Sequence, residues 1–224
     1  MTHSDTYGQA MFRPLSFVLA ALLVAAPAAA AEEDDNEWDG GFDYRAEVRS
    51  DVVLGLSVGL AFGSSSGYPN EAGKIDDPEY EADTGFALGQ DYTVWVGGAL
   101  QDWFTFALGM NSGGFQGDGL YAGSTGFLSR VETFPLFYYG EFWRDFAVFA
   151  DFGIAMAAIV DVDSEEEVAN GGALSLVGIG VAYELWHLGG FAIGPSLQYR
   201  HLRSNSMSQH TGVLAARVSY YTGP

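Results

Sequence analysis

The sequence contains no cysteine, and its only lysine is Lys74. The absence of cysteine excludes a disulfide framework and any cysteine-ligated zinc or iron–sulfur site. Nine basic residues stand against 29 acidic ones, which gives a formal net charge of −20 at pH 7. This balance argues against nucleic-acid binding, because such binding needs Lys and Arg to neutralise phosphates. Hydrophobic residues make up 48% of the chain, so it is not a disordered acidic tail.

Long apolar runs are rare as well, and the one that stands out is near the N-terminus. Arg13 provides a positive start, residues 15–26 are apolar, and residues 27–31 are small. This order is typical of a cleavable secretory signal peptide at 1–31, with Met11 as a plausible start and 1–10 as an over-extension. An uncleaved membrane anchor is the alternative. No apolar run of about 18 residues follows residue 31, so we expect no transmembrane helix there.

Residues 32–47 form an acidic leader with eight acidic side chains and one arginine, which we expect in the periplasm. We assign the remainder, 48–224, to one domain. Its first patterned run places large apolar side chains at the even positions from Val52 to Phe62. Glycine, alanine, serine and Val53 take the odd positions. Period-two alternation predicts a β-strand. A soluble strand would carry large charged residues on its second face, whereas small residues suit the inside of a narrow barrel whose outside meets lipid.

The same alternation recurs in seven more runs and predicts an all-β, eight-stranded, antiparallel up-and-down transmembrane barrel. The eight runs are 52–62, 86–100, 103–111, 126–139, 145–160, 174–185, 191–201 and 211–221. The run at 126–139 is the weakest, because Pro135 interrupts it. An even number of strands places both chain ends on the periplasmic side. A soluble periplasmic barrel or sandwich is the alternative.

The connections and the aromatic residues support the barrel. We expect long outer connections near 63–84, 112–125, 161–173 and 202–210, alternating with short ones near 101–102, 140–144 and 186–190. Aromatic side chains cluster beside the short connections and the last run, which predicts an interfacial girdle at one rim. Its members are Trp103, Phe104, Tyr138, Tyr139, Phe142, Trp143, Trp186, Tyr220 and Tyr221.

On these runs and their parity, residues 45–221 resemble the small eight-stranded outer-membrane barrels, namely the OmpA transmembrane domain and its OmpX- and OmpW-like relatives. The resemblance implies an outer-membrane protein of a diderm, Gram-negative bacterium. The partners that it implies are lipopolysaccharide and, during biogenesis, periplasmic chaperones and the barrel-assembly machinery. It also implies a monomer.

Seven charged residues fall on the small-residue face and are predicted to point into the lumen. Because buried charges must be paired, we expect a salt-bridge network that plugs the barrel. An ion-selective pore lining is the alternative. The seven are Asp91, Arg130, Glu132, Asp151, Glu184, Arg200 and Arg217.

Basic residues are concentrated near the C-terminus, where no acid follows Glu184. Arg203 and His210 fall near the fourth outer loop, where they could contact lipopolysaccharide phosphates. The acidic stretch 161–167 lacks the glycine and the final glutamate of a calcium loop, and we predict neither a metal nor a cofactor.

One stretch, 199–205, is similar to the His-x-Ser-Asn motif of PagL-type lipid A deacylases. His201 falls on the outward face, but Arg203 stands where the motif has serine. Ser204 lies one residue further on, and no acid follows to orient the histidine. We therefore predict a non-enzymatic barrel with a structural or surface-interaction role. A narrow diffusion pore and a lipid A hydrolase are the two alternatives.

Overall fold

A computed structural model describes residues 49–223. The predicted signal peptide (1–31) and the acidic leader (32–47) lie outside the described residues. Among the residues described, no helix is long and apolar enough to cross a membrane.

The described chain forms one closed antiparallel β-barrel of eight long strands, which confirms the predicted fold. The strands pair in the order β1-β3-β4-β5-β6-β7-β9-β10, and β10 pairs with β1 to close the ring. β2 pairs with the end of β1, and β8 extends the hairpin of β9. The strands are β1 (Asp51–Gly67), β2 (Ala82–Asp83), β3 (Ala87–Gln101), β4 (Phe104–Gly117), β5 (Leu120–Thr133), β6 (Phe146–Asp161), β7 (Glu167–Tyr183), β8 (Trp186–Leu188), β9 (Phe191–Arg203) and β10 (Met207–Tyr221).

The strands are staggered around the barrel. If paired residues are followed from Leu56 through every strand in turn, the path returns to β1 at Ser66, ten residues further along. An even offset is required, because an odd one would exchange the inner and outer faces. A stagger of this size tilts the strands and leaves an interior just wide enough for side chains.

The predicted facing of the strands is confirmed. The even positions of β1 and β3 and the outward positions of the other strands carry large side chains, and many of these are exposed, as Leu60, Ile154 and Leu214 show. The opposite positions are mostly buried, as in β9, where alternate residues from Ala192 to Leu202 are inaccessible. Small inward residues leave room for the few large side chains that fill the lumen.

The predicted lengths of the outer connections are largely wrong. Both described chain ends and the connections 102–103, 134–145 and 184–190 lie at one end of the barrel, which we call the terminal end. At the opposite end only 68–86 is long, while 118–119, 162–166 and 204–206 are short. Asp118 and Gly119 both have positive φ, the geometry of a two-residue hairpin turn. The sequence suggested a loop there because glycines and polar residues occupy both strands next to this turn.

The weakest predicted strand also ends earlier than expected. β5 ends at Thr133, and Phe137 lies in a 3-10 turn (Phe137–Tyr139) instead of on the outward face of a strand. Pro135 has no N–H to give to a ladder, which explains the break. A single helical turn, Glu141–Arg144, follows before β6.

Side chains fill the lumen in layers. Near the opposite end lies an apolar layer that includes Phe115, Leu128, Leu174, Leu176, Leu202 and Met207. The charged residues occupy the middle. At the terminal end, Phe134 packs with Ala147, Phe149 and Ala182, and Tyr221 packs with Val53 and Ala192.

Gly55 leaves space that a large side chain of the central layer occupies. Gly55 pairs with Trp95, and a Cβ added at Gly55 would stand 1.8 Å from the Trp95 indole. We expect Gly55→Ala to lower the free energy of unfolding by about 1–3 kcal/mol, because the indole must leave its place. Denaturant titration in detergent micelles measures this change.

Gly73→Ala is the matched control, because a Cβ at Gly73 meets nothing within 4 Å. Its effect should stay within about 0.5 kcal/mol. Equal stability of the two variants would show that Trp95 does not lie over Gly55.

Candidate functional site

All seven charged residues predicted to face the lumen are buried there. Arg130 and Asp151 are paired across β5 and β6, and both of their hydrogen bonds measure 2.8 Å. Arg200 of β9 reaches Asp91 of β3 at 2.7 Å. Arg130 is thus paired with an acid on the neighbouring strand, and Arg200 with an acid three strands away around the ring. Salt bridges of this kind are the arrangement expected for a plugged barrel.

Arg217 crosses the whole lumen. It extends from β10 and forms a bidentate pair with Glu132 of β5, which lies four strands away around the ring of eight. Its Nη2 lies 2.8 Å from Oε2 of Glu132, and the hydroxyl of Ser219 accepts two more of its N–H groups. The pair therefore joins opposite walls of the barrel.

Two aromatic side chains that the sequence analysis missed complete this layer. Trp95 and Phe149 enclose the Arg130 guanidinium, whose carbon lies 4.4 Å and 4.3 Å from their ring centres. The Arg217 guanidinium also lies 5.0 Å from the Trp95 ring. Arginine over an aromatic face is a favourable contact, and more so away from water. Strand parity alone would have placed Trp95 inside, since it continues the series of Asp91 and Thr93.

Amides and hydroxyls satisfy most of the remaining charged atoms. Gln198 donates to Asp151 at 2.6 Å, and Asn111 donates to Asp91 at 2.8 Å. Arg200 also donates to the side-chain amide oxygen of Gln198 at 3.3 Å. The Arg130 and Arg200 pairs are therefore joined into one network, as buried charges require.

The central layer excludes water. Trp95, Arg130, Glu132, Phe149, Asp151 and Arg217 are each at most 4% exposed. A water-filled channel would leave its lining side chains accessible. The side chains of this layer are, by contrast, out of contact with water.

Glu184 takes part in a separate cluster at the terminal end. Its partner is Arg49, which lies before the first strand and was not singled out in the sequence. Arg49 donates to Glu184 at 2.9 Å and to Asp145 at 2.8 Å, and its guanidinium lies 3.5 Å from the centre of the Phe134 ring. The segment just before β1 thus anchors itself inside the barrel mouth.

Tyr221 belongs to this cluster, and its predicted place in the aromatic girdle is wrong. It is 3% exposed, and its hydroxyl donates to Glu184 at 2.6 Å. Successive strand residues point to opposite faces, so Tyr220 can face outward only if Tyr221 faces inward.

The same cluster has the spacing of a metal site. Ligand atoms of Asp145, Glu184 and His187 lie within 4.8 Å of one another. The Arg49 guanidinium, however, already holds both carboxylates. It supplies the positive charge that a metal ion would otherwise bring.

The other predicted girdle residues lie at the terminal end, on or beside the connections there. All of them are exposed or half-buried, and Tyr138, at 80%, is among the most exposed side chains of the barrel. Several are in contact with each other, such as Phe142 with Trp143 at 5.2 Å between ring centres. They are Trp103, Phe104, Tyr138, Tyr139, Phe142, Trp143, Trp186 and Tyr220.

A polar group, which we call the histidine cluster, lies on the outward face near the opposite end. It consists of Tyr199, His201 and Arg203 on β9 and Ser208 and His210 on β10. The two imidazoles are stacked with their centres 4.3 Å apart. The Ser208 hydroxyl lies 3.2 Å from Nε2 of His201 and 3.4 Å from Nε2 of His210.

This cluster contains the two residues predicted to contact lipopolysaccharide, Arg203 and His210. It does not contain Ser204, the serine of the deacylase-like stretch. Ser204 lies in the turn after β9, where its hydroxyl contacts Ser206. The serine beside His201 is Ser208 of the next strand, which the linear motif could not reveal.

No protein-family model matches the sequence, and a comparison with curated proteins finds no relative. Solved structures with a similar fold include Neisserial surface protein A, at 11% identity and a TM-score of 0.44, covering 75% of this chain and 96% of that one. Ail, the attachment invasion locus protein of Yersinia pestis, is 11% identical with a TM-score of 0.46, covering 76% and 99%. The outer membrane protein OprG from Pseudomonas aeruginosa is 9% identical with a TM-score of 0.41, covering 78% and 99%. These likenesses concern the barrel fold alone.

The pair across the lumen gives a test of the buried charge network. We expect Arg217→Met to lower the free energy of unfolding by about 3–5 kcal/mol, because it leaves Glu132 buried without a partner. The double variant Arg217→Met, Glu132→Leu should regain part of that loss, because no charge is then stranded. Denaturant titration measures both.

Lys74→Met is the control, since Lys74 and Glu71 form an ion pair at the surface. Lys74→Met should lower the free energy of unfolding by less than about 1 kcal/mol. If the double variant were no more stable than Arg217→Met alone, the stranded charge would not be the cause.

Proposed function

We propose that this protein is a barrel of the outer membrane, non-enzymatic and closed, with a structural or surface-interaction role. The observation that carries the membrane assignment is the chemistry of the outward face. Along the central stretches of the strands its positions hold no aspartate, glutamate or lysine, and their one arginine is Arg203 at the end of β9. The positions are alternate residues of 52–62, 88–100, 104–116, 121–133, 146–160, 175–183, 191–203 and 208–220. Outside these stretches, Glu167 at the start of β7 is exposed and pairs with the outward Val160.

A barrel in water would expose charged residues on this face, whereas here the exposed residues include Leu60, Leu108, Phe127 and Ile154. The aromatic girdle at the terminal end supports the same conclusion. The longest connection, 68–86, lies at the opposite end and supports an orientation with that end outside. Because the sheet closes on itself through β1 and β10, we propose that the barrel is a monomer.

Closure of the lumen supports a structural role over passage of solutes. The Arg217–Glu132 pair and the enclosed Arg130 occupy the middle of the barrel, and an apolar layer lies beyond them. A diffusion pore would require these side chains to move apart and open a water-filled channel.

The histidine cluster bears on the hydrolase alternative. Ser208 is within hydrogen-bond distance of His201. In a catalytic triad, a carboxylate orients the histidine and stabilises the imidazolium. Here His210 contacts the neutral Tyr199 hydroxyl at 2.7 Å. Arg203 also pairs with Ser208 in the strand register and opposes a second positive charge. This environment favours a non-catalytic cluster.

The membrane assignment is tested by a charge on the outward face. We expect Ile154→Arg to destabilise the lipid-inserted barrel by about 2–4 kcal/mol, because Ile154 lies where the acyl chains would be. Folding into vesicles, followed by denaturant titration, measures this effect.

Val162→Arg is the matched control, because Val162 is exposed in the turn after β6. Val162→Arg should destabilise the inserted barrel by at most about 1 kcal/mol. A barrel that inserted equally well with either variant would contradict the lipid-facing assignment.

Closure is tested by the permeability of liposomes that contain the refolded protein. We expect glucose to escape no faster than from protein-free liposomes, because the central layer is inaccessible to water. A band that shifts on heating in gel electrophoresis verifies that the barrel has formed. Leaky liposomes that became leakier with Arg130→Ala would show a gated pore and contradict the proposal.

A further inference from the structure

The histidine cluster occupies a defined level on the outside of the barrel. Along β9, Leu197 is the last aliphatic outward residue before Tyr199, His201 and Arg203. Along β10, Leu214 is the corresponding residue before His210 and Ser208, with Gly212 between. The cluster therefore lies where the apolar outward face ends. If the barrel spans the membrane as proposed, this is the level of the outer-leaflet headgroups, and the inference below rests on that proposal.

The cluster brings together three basic side chains that form no salt bridge in the described part of the chain. His201 and His210 are directly opposite each other in the register, and Arg203 is opposite Ser208. Neighbouring basic groups on one sheet face oppose each other unless an anion joins them. Among the residues described, no acid forms a salt bridge with these three side chains.

The adjoining elements bring little negative charge to the cluster. The outward face of β7 presents Ser175, which donates to the Arg203 carbonyl, and that of β1 presents Ser64 opposite His210. Asp76 lines a shallow depression beside Arg203. Asp83 of β2 pairs with Ser66 in the register, and its carboxylate already accepts from the Gly85 amide. Neither acid contacts an imidazole.

The polar atoms of the cluster converge. Nε2 of both histidines points at one atom, the Ser208 hydroxyl oxygen, and the Tyr199 hydroxyl lies 2.7 Å from Nδ1 of His210. Two imidazole nitrogens and a hydroxyl thus meet at one spot beside an arginine. When both imidazoles are protonated, both Nε2–H groups donate to the Ser208 oxygen, which leaves the Ser208 O–H to donate to a phosphate oxygen.

We propose that His201, Arg203, Ser208 and His210 bind the phosphate of an outer-leaflet lipid headgroup, and that protonation of the two histidines strengthens this binding. Arg203 provides the permanent charge. The imidazoles add further positive charge when they become protonated at lower pH. Arg203 and His210, predicted separately from the sequence as lipid contacts, become parts of one site with His201 and Ser208.

The test uses the full chain in detergent micelles and measures lipid affinity by titration. The probe is dioleoylphosphatidylglycerol, whose phosphodiester keeps one negative charge throughout, and dioleoylglycerol is the probe without phosphate. We expect phosphatidylglycerol to bind about fivefold more tightly near pH 5.5 than near pH 7.5. Dioleoylglycerol should show no such dependence.

Variants separate the roles of the side chains. The double variant His201→Gln, His210→Gln should keep measurable binding but lose its pH dependence, because glutamine does not protonate. Arg203→Gln should weaken binding about tenfold at both pH values, the effect of one charge-assisted hydrogen bond. His187→Gln, at the terminal end, is the matched control. It should leave the affinity for phosphatidylglycerol and the pH dependence of that affinity unchanged.

The outcomes distinguish this inference from the proposed function. If heat-modifiable mobility showed no barrel in vesicles, the proposed function would fail. If the barrel formed but the His201, His210 double variant kept the full pH dependence, the headgroup site would be wrong. Equal competition by inorganic phosphate would indicate a site for the free anion. Release of oleate that stopped with Ser208→Ala would indicate a hydrolase, and either result would overturn the inference.

Discussion

Closure of the sheet between β1 and β10 is the constraint on which the rest of the structure depends. The two strands pair continuously from Val53–Tyr221 to Gly67–Met207, so the ring of eight strands is closed at this seam. In lipid an unpaired backbone group has no water to bond with, and closure removes that cost for the whole sheet. It also fixes the size of the lumen. Eight strands with this stagger leave room for side chains only. The size of each inward residue therefore determines how the lumen is filled.

The charged middle of the lumen follows from that narrowness. Arg217 and Glu132 meet across the diameter because the opposite walls are one pair of side chains apart. Arg130 lies between Trp95 and Phe149, which have space because Gly55 and Gly180 carry no side chain beneath them. Buried ion pairs contribute little net stability compared with apolar packing, but breaking one is costly. This network therefore specifies one arrangement of the lumen more than it strengthens the barrel.

The two faces of the barrel differ in the charged side chains that they carry. The lumen holds acids and bases in pairs, whereas the outward face is largely apolar and carries His201, Arg203 and His210 together on β9 and β10. Strand parity thus divides the arginines near the C-terminus between the two faces. Arg200 and Arg217 point inward to carboxylates. Arg203 points outward beside His201 and His210.

Strand number, facing and the inward position of the seven lumen charges could be predicted from the sequence, because period-two alternation is a local property of each strand. Which charge meets which could not. The Arg217–Glu132 partnership depends on the stagger of the closed ring, and the bond between Arg49 and Glu184 joins residues 135 positions apart. The short hairpin at Asp118 and the meeting of Ser208 with His201 likewise come from register between strands. Alternation along one strand carries no information about register, so only the closed tertiary structure decides it.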